Sequence, residues 1–410
     1  MAEYDAHPTG SRTTPDAPVG ASDPRYRRWL WVLSAALVGA TLILVAIGGH
    51  VTSSDAGMAV PEGFFTGPYW SLISPLEYWW HDMGRRLEHS HRLKGYVVGG
   101  ITIAVTVSLL RTQGRRRWLK VLGVGLLVFV VAQGALGIVR VSFNSNPFVA
   151  GAWFAAIHGV TGQMFLCLTV LVAAATGRFW MQHRRRSDAD ASHLLRPRWR
   201  VAPLVLLGLL LVQLTLGSAV RHSGSALAIP DWPTHYGSWA PPMSQAQLDE
   251  AVSVYPADRL PERYGRATVI SEAVPYTTAQ VHLHFAHRLG AYTVTLFGLG
   301  YVGWLFRRYR GVRERGAVWW PAGLFAGLLL LQVSLGVMTV WSGEHATMAT
   351  AHQTVGAGLF AAATWLAIRL HLVRAGSARP RDVPVAAGDA LDPDDRAAVS
   401  GSGRGVAAAG

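Results

Sequence analysis

Cysteine is nearly absent from this chain: Cys167 is the only one in 410 residues, and it sits within an apolar run. Disulfides, thiolate metal clusters and covalent c-type heme attachment each need at least two cysteines, so all three are excluded. Charge is also scarce, at 15% of residues, and Asp and Glu number 24 against 37 Lys and Arg. The net charge of +13 does not point to nucleic acid, because the arginines fall in short runs between apolar segments. That pattern belongs to membrane topology. The first ~29 residues lack the apolar core of a signal peptide. Glu3, Asp5, Asp16 and Asp23 argue against a mitochondrial transit peptide.

Hydrophobic residues make up half of the sequence, and 16 tryptophans accompany them, as in a polytopic membrane protein. Eight stretches, near 30–49, 93–110, 118–139, 151–177, 202–220, 285–306, 317–341 and 347–372, reach the ~20 apolar residues that cross a bilayer. The connections 111–120, 178–200 and 307–315 are rich in Lys and Arg, whereas 140–150 holds only Arg140 and 342–347 none. The positive-inside rule therefore places the basic connections and both termini in the cytoplasm, with the chain multi-pass in the cell (inner) membrane. Two long outer loops, about 50–90 and 221–284, are rich in aromatics (Tyr69, Trp70, Tyr78, Trp79, Trp80; Trp232, Tyr236, Trp239). Such residues anchor at the interface or cover a site.

The sequence repeats itself. GGHVTSSDAGMAVPE (48–62) after the first segment is echoed by GSAVRHSGSALAIPD (217–231) after the fifth. HSHRLKGY (89–96) is echoed by HFAHRLGAY (284–292), and QGALG (133–137) by QVSLG (332–336), with QLTLG (213–217) alike. A parallel duplication of four helices predicts an all-α membrane protein, eight transmembrane helices arranged as two pseudo-symmetric four-helix bundles. The expected organisation is a cytoplasmic N-terminal segment (1–29), an N-terminal bundle (30–177), a basic cytoplasmic linker (178–201), a C-terminal bundle (202–372) and a disordered cytoplasmic tail (373–410).

Four histidines recur at matching depth: His91 and His158 in the first half, His287 and His352 in the second. Histidine near the lipid core is costly and seldom idle. Two pairs on separate helices fit two bis-imidazole sites, and heme iron is the natural occupant between membrane helices. A lone histidine at a helix end is usually interfacial, but the fourfold repetition favours ligation. Gly159, Gly162, Gly356 and Gly358 would admit a flat macrocycle, although glycines also serve ordinary helix packing. Arg92 and Arg288 suit propionates, or alternatively snorkel into headgroups. Glu88 stands three residues before His91 on the same helical face, where the second half has His284. A carboxylate in one half only points to proton-coupled chemistry there and a fixed redox centre in the other. His89, His282 and His284 read as interfacial or supporting residues.

EHSHRLKG (88–95), AIHG (156–159), AIPDWP (228–233), AHRLGAY (286–292) and TAHQTVGAG (350–358) resemble the motifs of the heme A synthase family over roughly residues 30–372. The resemblance implies two four-helix bundles in pseudo-symmetry. Heme O would be the substrate of the first, and a resident heme b the cofactor of the second. It implies oxidation of the C8 methyl of heme O to a formyl group, through a gem-diol that loses water. By motif, His91, His158 and Arg92 would hold the substrate heme, and His287, His352 and Arg288 the cofactor heme, with both irons bound by histidine. Glu88 would be catalytic, donating a proton or stabilising positive charge. Implied partners are heme O synthase, the terminal oxidase assembly machinery, an unidentified electron donor and the lipid membrane, with no nucleic acid; homo-oligomerisation is left open. The chain lacks the cysteine pair that many bacterial members carry in the first outer loop, and the first half reads VPEG (60–63) where the second has PDWP. From the residues alone, a diheme b-type membrane electron carrier or a non-catalytic heme-binding assembly factor remains an alternative.

Overall fold

The computed structural model describes residues 26–57, 59, 80–144, 150–182, 198–256, 276–311 and 315–373. Residues 1–25 of the N-terminal segment, most of the basic linker and the tail after 373 lie outside these residues, as do VPEG and the aromatics from Tyr69 to Trp79. Nine helices lie wholly among the described residues, which hold no strand: α1 (Arg28–Ser53), α2 (Met83–Thr112), α3 (Arg117–Asn144), α4 (Ala150–Thr176), α5 (Arg198–His222), α6 (Gln245–Val254), α7 (Thr278–Arg308), α8 (Gly316–Trp341) and α9 (Ala346–Leu372). All but the short α6 are long and apolar enough to cross a membrane, so eight spans are present as the hydropathy predicted.

Two helices begin earlier than their apolar runs. Helix α2 starts at Met83, capped by the Asp82 side chain on Arg85 N (3.0 Å). Helix α7 starts at Thr278 behind a capping box of Thr277 and Gln280. Hydropathy reports only the lipid-compatible part of a helix, whereas caps carry these two through polar sequence beyond it. His91 and His287 therefore stand more than two turns inside their helices, on backbone already fixed.

Helix α1 packs on α2, α2 on α3, α3 on α4 and α4 back on α1; likewise α5 packs on α7, α7 on α8, α8 on α9 and α9 on α5. Each half is thus a closed ring. The rings meet through α1 on α9, α4 on α9 and α4 on α5. In the apolar windows of α4 and α9, 50% of residues are buried, against 11–28% in the other six spans, so these two form the centre. Their small residues permit it: Ala349, Gly356, Ala357, Ala362, Ala363 and Ala367 of α9 are all buried. In lipid, close approach of such residues replaces the missing hydrophobic drive to helix association.

Apolar side chains fill one end of each ring. Leu37, Val105, Leu109, Leu126 and Phe165 are fully or almost fully buried in the first. Leu206, Leu305, Phe325, Leu329 and Leu366 do the same in the second. Apart from Phe165 and Leu329, which also line the cavity described below, they lie toward the helix ends remote from the four histidines. The histidine ends are held open instead.

Candidate heme-binding site

A single cavity of about 1040 Å³ occupies the open end, at the upper limit of the roughly 300–1,000 Å³ typical of small-molecule sites. His91, His158, His287 and His352 all line it, with Glu88, Arg92 and Arg288. His91 lies within electrostatic reach of His158, and His287 within reach of His352.

Each ring is seated against a glycine of a neighbouring helix. A Cβ placed on Gly48 would lie 2.8 Å from His91 Cε1, on Gly217 2.9 Å from His287 Cε1, and on Gly336 3.0 Å from His352 Cε1. At Gly137 the corresponding distance to His158 is a looser 3.7 Å. Each ring also faces the backbone carbonyl four residues before its glycine: Leu44, Gln133, Gln213 and Gln332. For His352 this is a hydrogen bond, with Nδ1 3.1 Å from Gln332 O. At His352 this carbonyl on the Nδ1 side favours the tautomer that leaves Nε2 as the lone-pair nitrogen, the arrangement usual for metal-ligating histidine. Nδ1 of His91 and of His158 is buried and hydrogen-bonds to no protein group. Glycine seats, ring orientation and cavity size all fit a flat macrocycle ligated from both faces.

Two glutamines come with these seats. Gln213 Nε2 lies 3.0 Å from His287 Nδ1 and donates to His287 O at 2.9 Å. Gln332 Nε2 lies 3.4 Å from His352 Nε2. The repeated Q-x-x-L-G pattern is plain in the sequence, but its role emerges only from these contacts between helices. Of the glycines singled out for the macrocycle, Gly159, Gly162 and Gly356 line the cavity and Gly358 does not.

Glu88 is 5% exposed, and Arg92 Nη2 donates to its Oε1 at 2.7 Å. It is therefore not an acid displayed at a helix start. Its repeat counterpart, His284, does something different. His284 Nδ1 lies 3.2 Å from Ile229 N, and its Nε2 3.3 Å from Arg288 Nε. Arg288 further donates to the carbonyls of Asp231 (2.7 Å), Thr234 (3.2 Å) and Ile229 (3.0 Å). Four of its five N–H donors are thus engaged within the protein, which leaves no fork for a bidentate propionate.

The loop that Arg288 grips forms a cap. Asp231 accepts from Thr234 Oγ1 (2.5 Å), Tyr236 N (2.7 Å) and Gly237 N (2.8 Å). Tyr236 Oη donates to Ala228 O at 2.5 Å. Leu248 of α6 packs with Leu227, Ile229, Tyr276 and Val281 beneath it. Burial, and then the Arg288 charge, hold the His235 pKa below its ordinary value. His282 Nε2 lies 3.1 Å from Pro242 O, a supporting contact of the same cap.

The sequence profile of the family described as "Cytochrome oxidase assembly protein" matches residues 85–364. The chain belongs to that family. Among curated relatives, it is 29% identical over 314 residues to a heme A synthase of Symbiobacterium thermophilum, covering 75% of this chain and 85% of the relative. It is 28% identical over 381 residues to one of Methylobacterium radiotolerans (84% and 90%). A third, of Lysinibacillus sphaericus, is 31% identical over 218 residues (52% and 63%). Within this cytochrome oxidase assembly family member, the matched region contains Glu88 and all four cavity histidines.

Proposed function

We propose that this membrane protein is a heme A synthase, an oxidoreductase that converts the C8 methyl of heme O to a formyl group. The reading rests on one observation above all: Glu88, buried and paired with Arg92, shares one cavity with both histidine pairs. In this reading His91 and His158 hold the substrate, while His287 and His352 would hold a resident heme b. When bound there, heme b supplies one-electron redox chemistry. The two rings of helices would be related by a pseudo-twofold axis along the membrane normal, with both termini cytoplasmic. In support, exchanging α1 with α5, α2 with α7, α3 with α8 and α4 with α9 maps the principal helix–helix contacts onto one another, with the central α4–α9 contact mapping onto itself.

The chain's own residues then have distinct tasks. The glycine seats and the carbonyls of Leu44 and Gln133 set the two substrate-side imidazoles. On the cofactor side, the Gln213 side chain steadies His287 and the Gln332 carbonyl orients His352. Arg92 holds the Glu88 carboxylate in a fixed orientation. From that position it receives a proton, or opposes positive charge developing on the substrate methyl, without reorganising. Arg288, through the cap, excludes water from the cofactor side.

Co-expression with a heme O synthase and HPLC of the extracted pigments tests this. Wild type accumulates heme A. Glu88→Gln is expected to keep both heme sites while heme A falls by roughly two orders of magnitude, the usual cost of losing one preorganised electrostatic group. Full heme A yield from Glu88→Gln would leave an electron carrier or a non-catalytic assembly factor as the better reading. For a carrier, the same variant only shifts a midpoint potential.

A further inference from the structure

Four arginines line the cavity: Arg92, Arg140, Arg221 and Arg288. Arg92 is paired with Glu88 and Arg288 is committed to the cap. The other two are differently placed. Arg140, near the end of α3, lies within electrostatic reach of His91, His158 and Glu88. Arg221, at the end of α5, lies within reach of His352 and of Arg140 itself. Each histidine pair therefore has one such arginine beside it.

Their donors are mostly unspent. Arg140 makes no hydrogen bond among the described residues, and its Nη2 lies against the open backbone of Gly57. Arg221 uses Nη2 alone, on Gly49 O (3.1 Å) and on Ser53 Oγ, while its Nε is buried without a partner. Asp55 and Glu344 stand within electrostatic reach of Arg221, and Glu88, within reach of Arg140, is bonded to Arg92. Two mutually repelling guanidinium groups beside a low-dielectric cavity are costly unless an anion joins them.

We propose that Arg140 and Arg221 form a carboxylate site at the mouth of the cavity and that its ligands are the propionates of the bound iron porphyrins. Arg140 serves the porphyrin between His91 and His158, and Arg221 the one beside His352. The assignment rests on the heme reading above and moves propionate recognition away from Arg92 and Arg288. Guanidinium suits this task because it stays charged and donates through paired N–H groups.

Full-length protein in detergent, freed of heme, is titrated by absorbance with iron protoporphyrin IX and with its dimethyl ester. The ester keeps ring and iron but removes both negative charges. Wild type is expected to prefer the free acid by roughly 10- to 100-fold, the usual worth of a charge-assisted contact. Arg140→Gln and Arg221→Gln should each shrink that preference, and the double variant should abolish it while leaving ester affinity unchanged. A double variant that keeps the wild-type preference overturns the proposal. Should a glutamine variant lose ester binding too, Arg140→Lys and Arg221→Lys decide: a partial preference supports the paired-donor contact, and an undiminished one overturns it. If wild type binds neither compound, the heme reading itself fails. If it binds both equally, only the arginine assignment falls.

Discussion

Gly48 and Gly217 lie so close beneath the rings of His91 and His287 that an added methyl would sit within 3 Å of either imidazole. Gly217→Ala should therefore displace His287, cost about 1–3 kcal/mol in strain, and lose the resident heme in a pyridine hemochromogen assay. Gly48→Ala should spare that heme and impair substrate turnover. Gly358→Ala, with nothing within 4 Å of the new methyl, is the neutral control. The histidines were legible in the sequence because they recur with their neighbours in both halves. Their seats were not, because each contact joins two helices: Gly217 precedes His287 by 70 residues and Gly336 precedes His352 by 16. The pattern was visible as Q-x-x-L-G, but no local rule says which ring lands on which glycine. Arg288 illustrates the opposite case. Its charge and position suggested a propionate ligand, and only the loop carbonyls around it reveal where its donors go.

Among the elements, the cap over the second half is the one whose stability should respond to pH. His235 is buried there near Arg288 and Asp231, with its pKa held below the ordinary value, so the unfolded loop binds its proton more readily than the folded one. Stability from this group is present above the unfolded value of roughly 6.5 and declines as pH falls from there toward the lower folded value. Protection factors across 228–238, taken relative to intrinsic exchange at each pH, should fall from pH 7.5 to pH 5.5, and His235→Gln should flatten that dependence. An unchanged slope in the variant would assign the effect to another group. Arg288→Lys should loosen the same segment at every pH, since one ammonium cannot satisfy three carbonyls fixed in different directions. The cap was barely legible beforehand. Its Pro-Asp-Trp-Pro signature is visible in the sequence, but a network centred on Asp231 depends on backbone groups that no composition reveals.

For the whole molecule, the eight spans and their alternation followed from hydropathy and loop charge, because lipid imposes length and polarity on each helix separately. Reporter fusions after Arg186 and after Tyr255 are expected to lie on opposite sides of the membrane, the former cytoplasmic. Finding both on one side would break the orientation and with it the common depth of the histidines. What loop charge leaves undetermined is which helices stand at the centre, and there the small-residue faces of α4 and α9 decide.

That central place of α9 bears on how the protein is made. Helix α9 is the last span, and it packs on α1, α4, α5 and α8. The first ring can close as soon as α4 has left the ribosome, with His91 and His158 already on their seats. The wall between the two halves cannot be finished until the final helix enters the membrane. Pigment loaded during synthesis would meet a cavity with one wall missing, so insertion of the chain's last span also sets the earliest moment at which that shared cavity is complete.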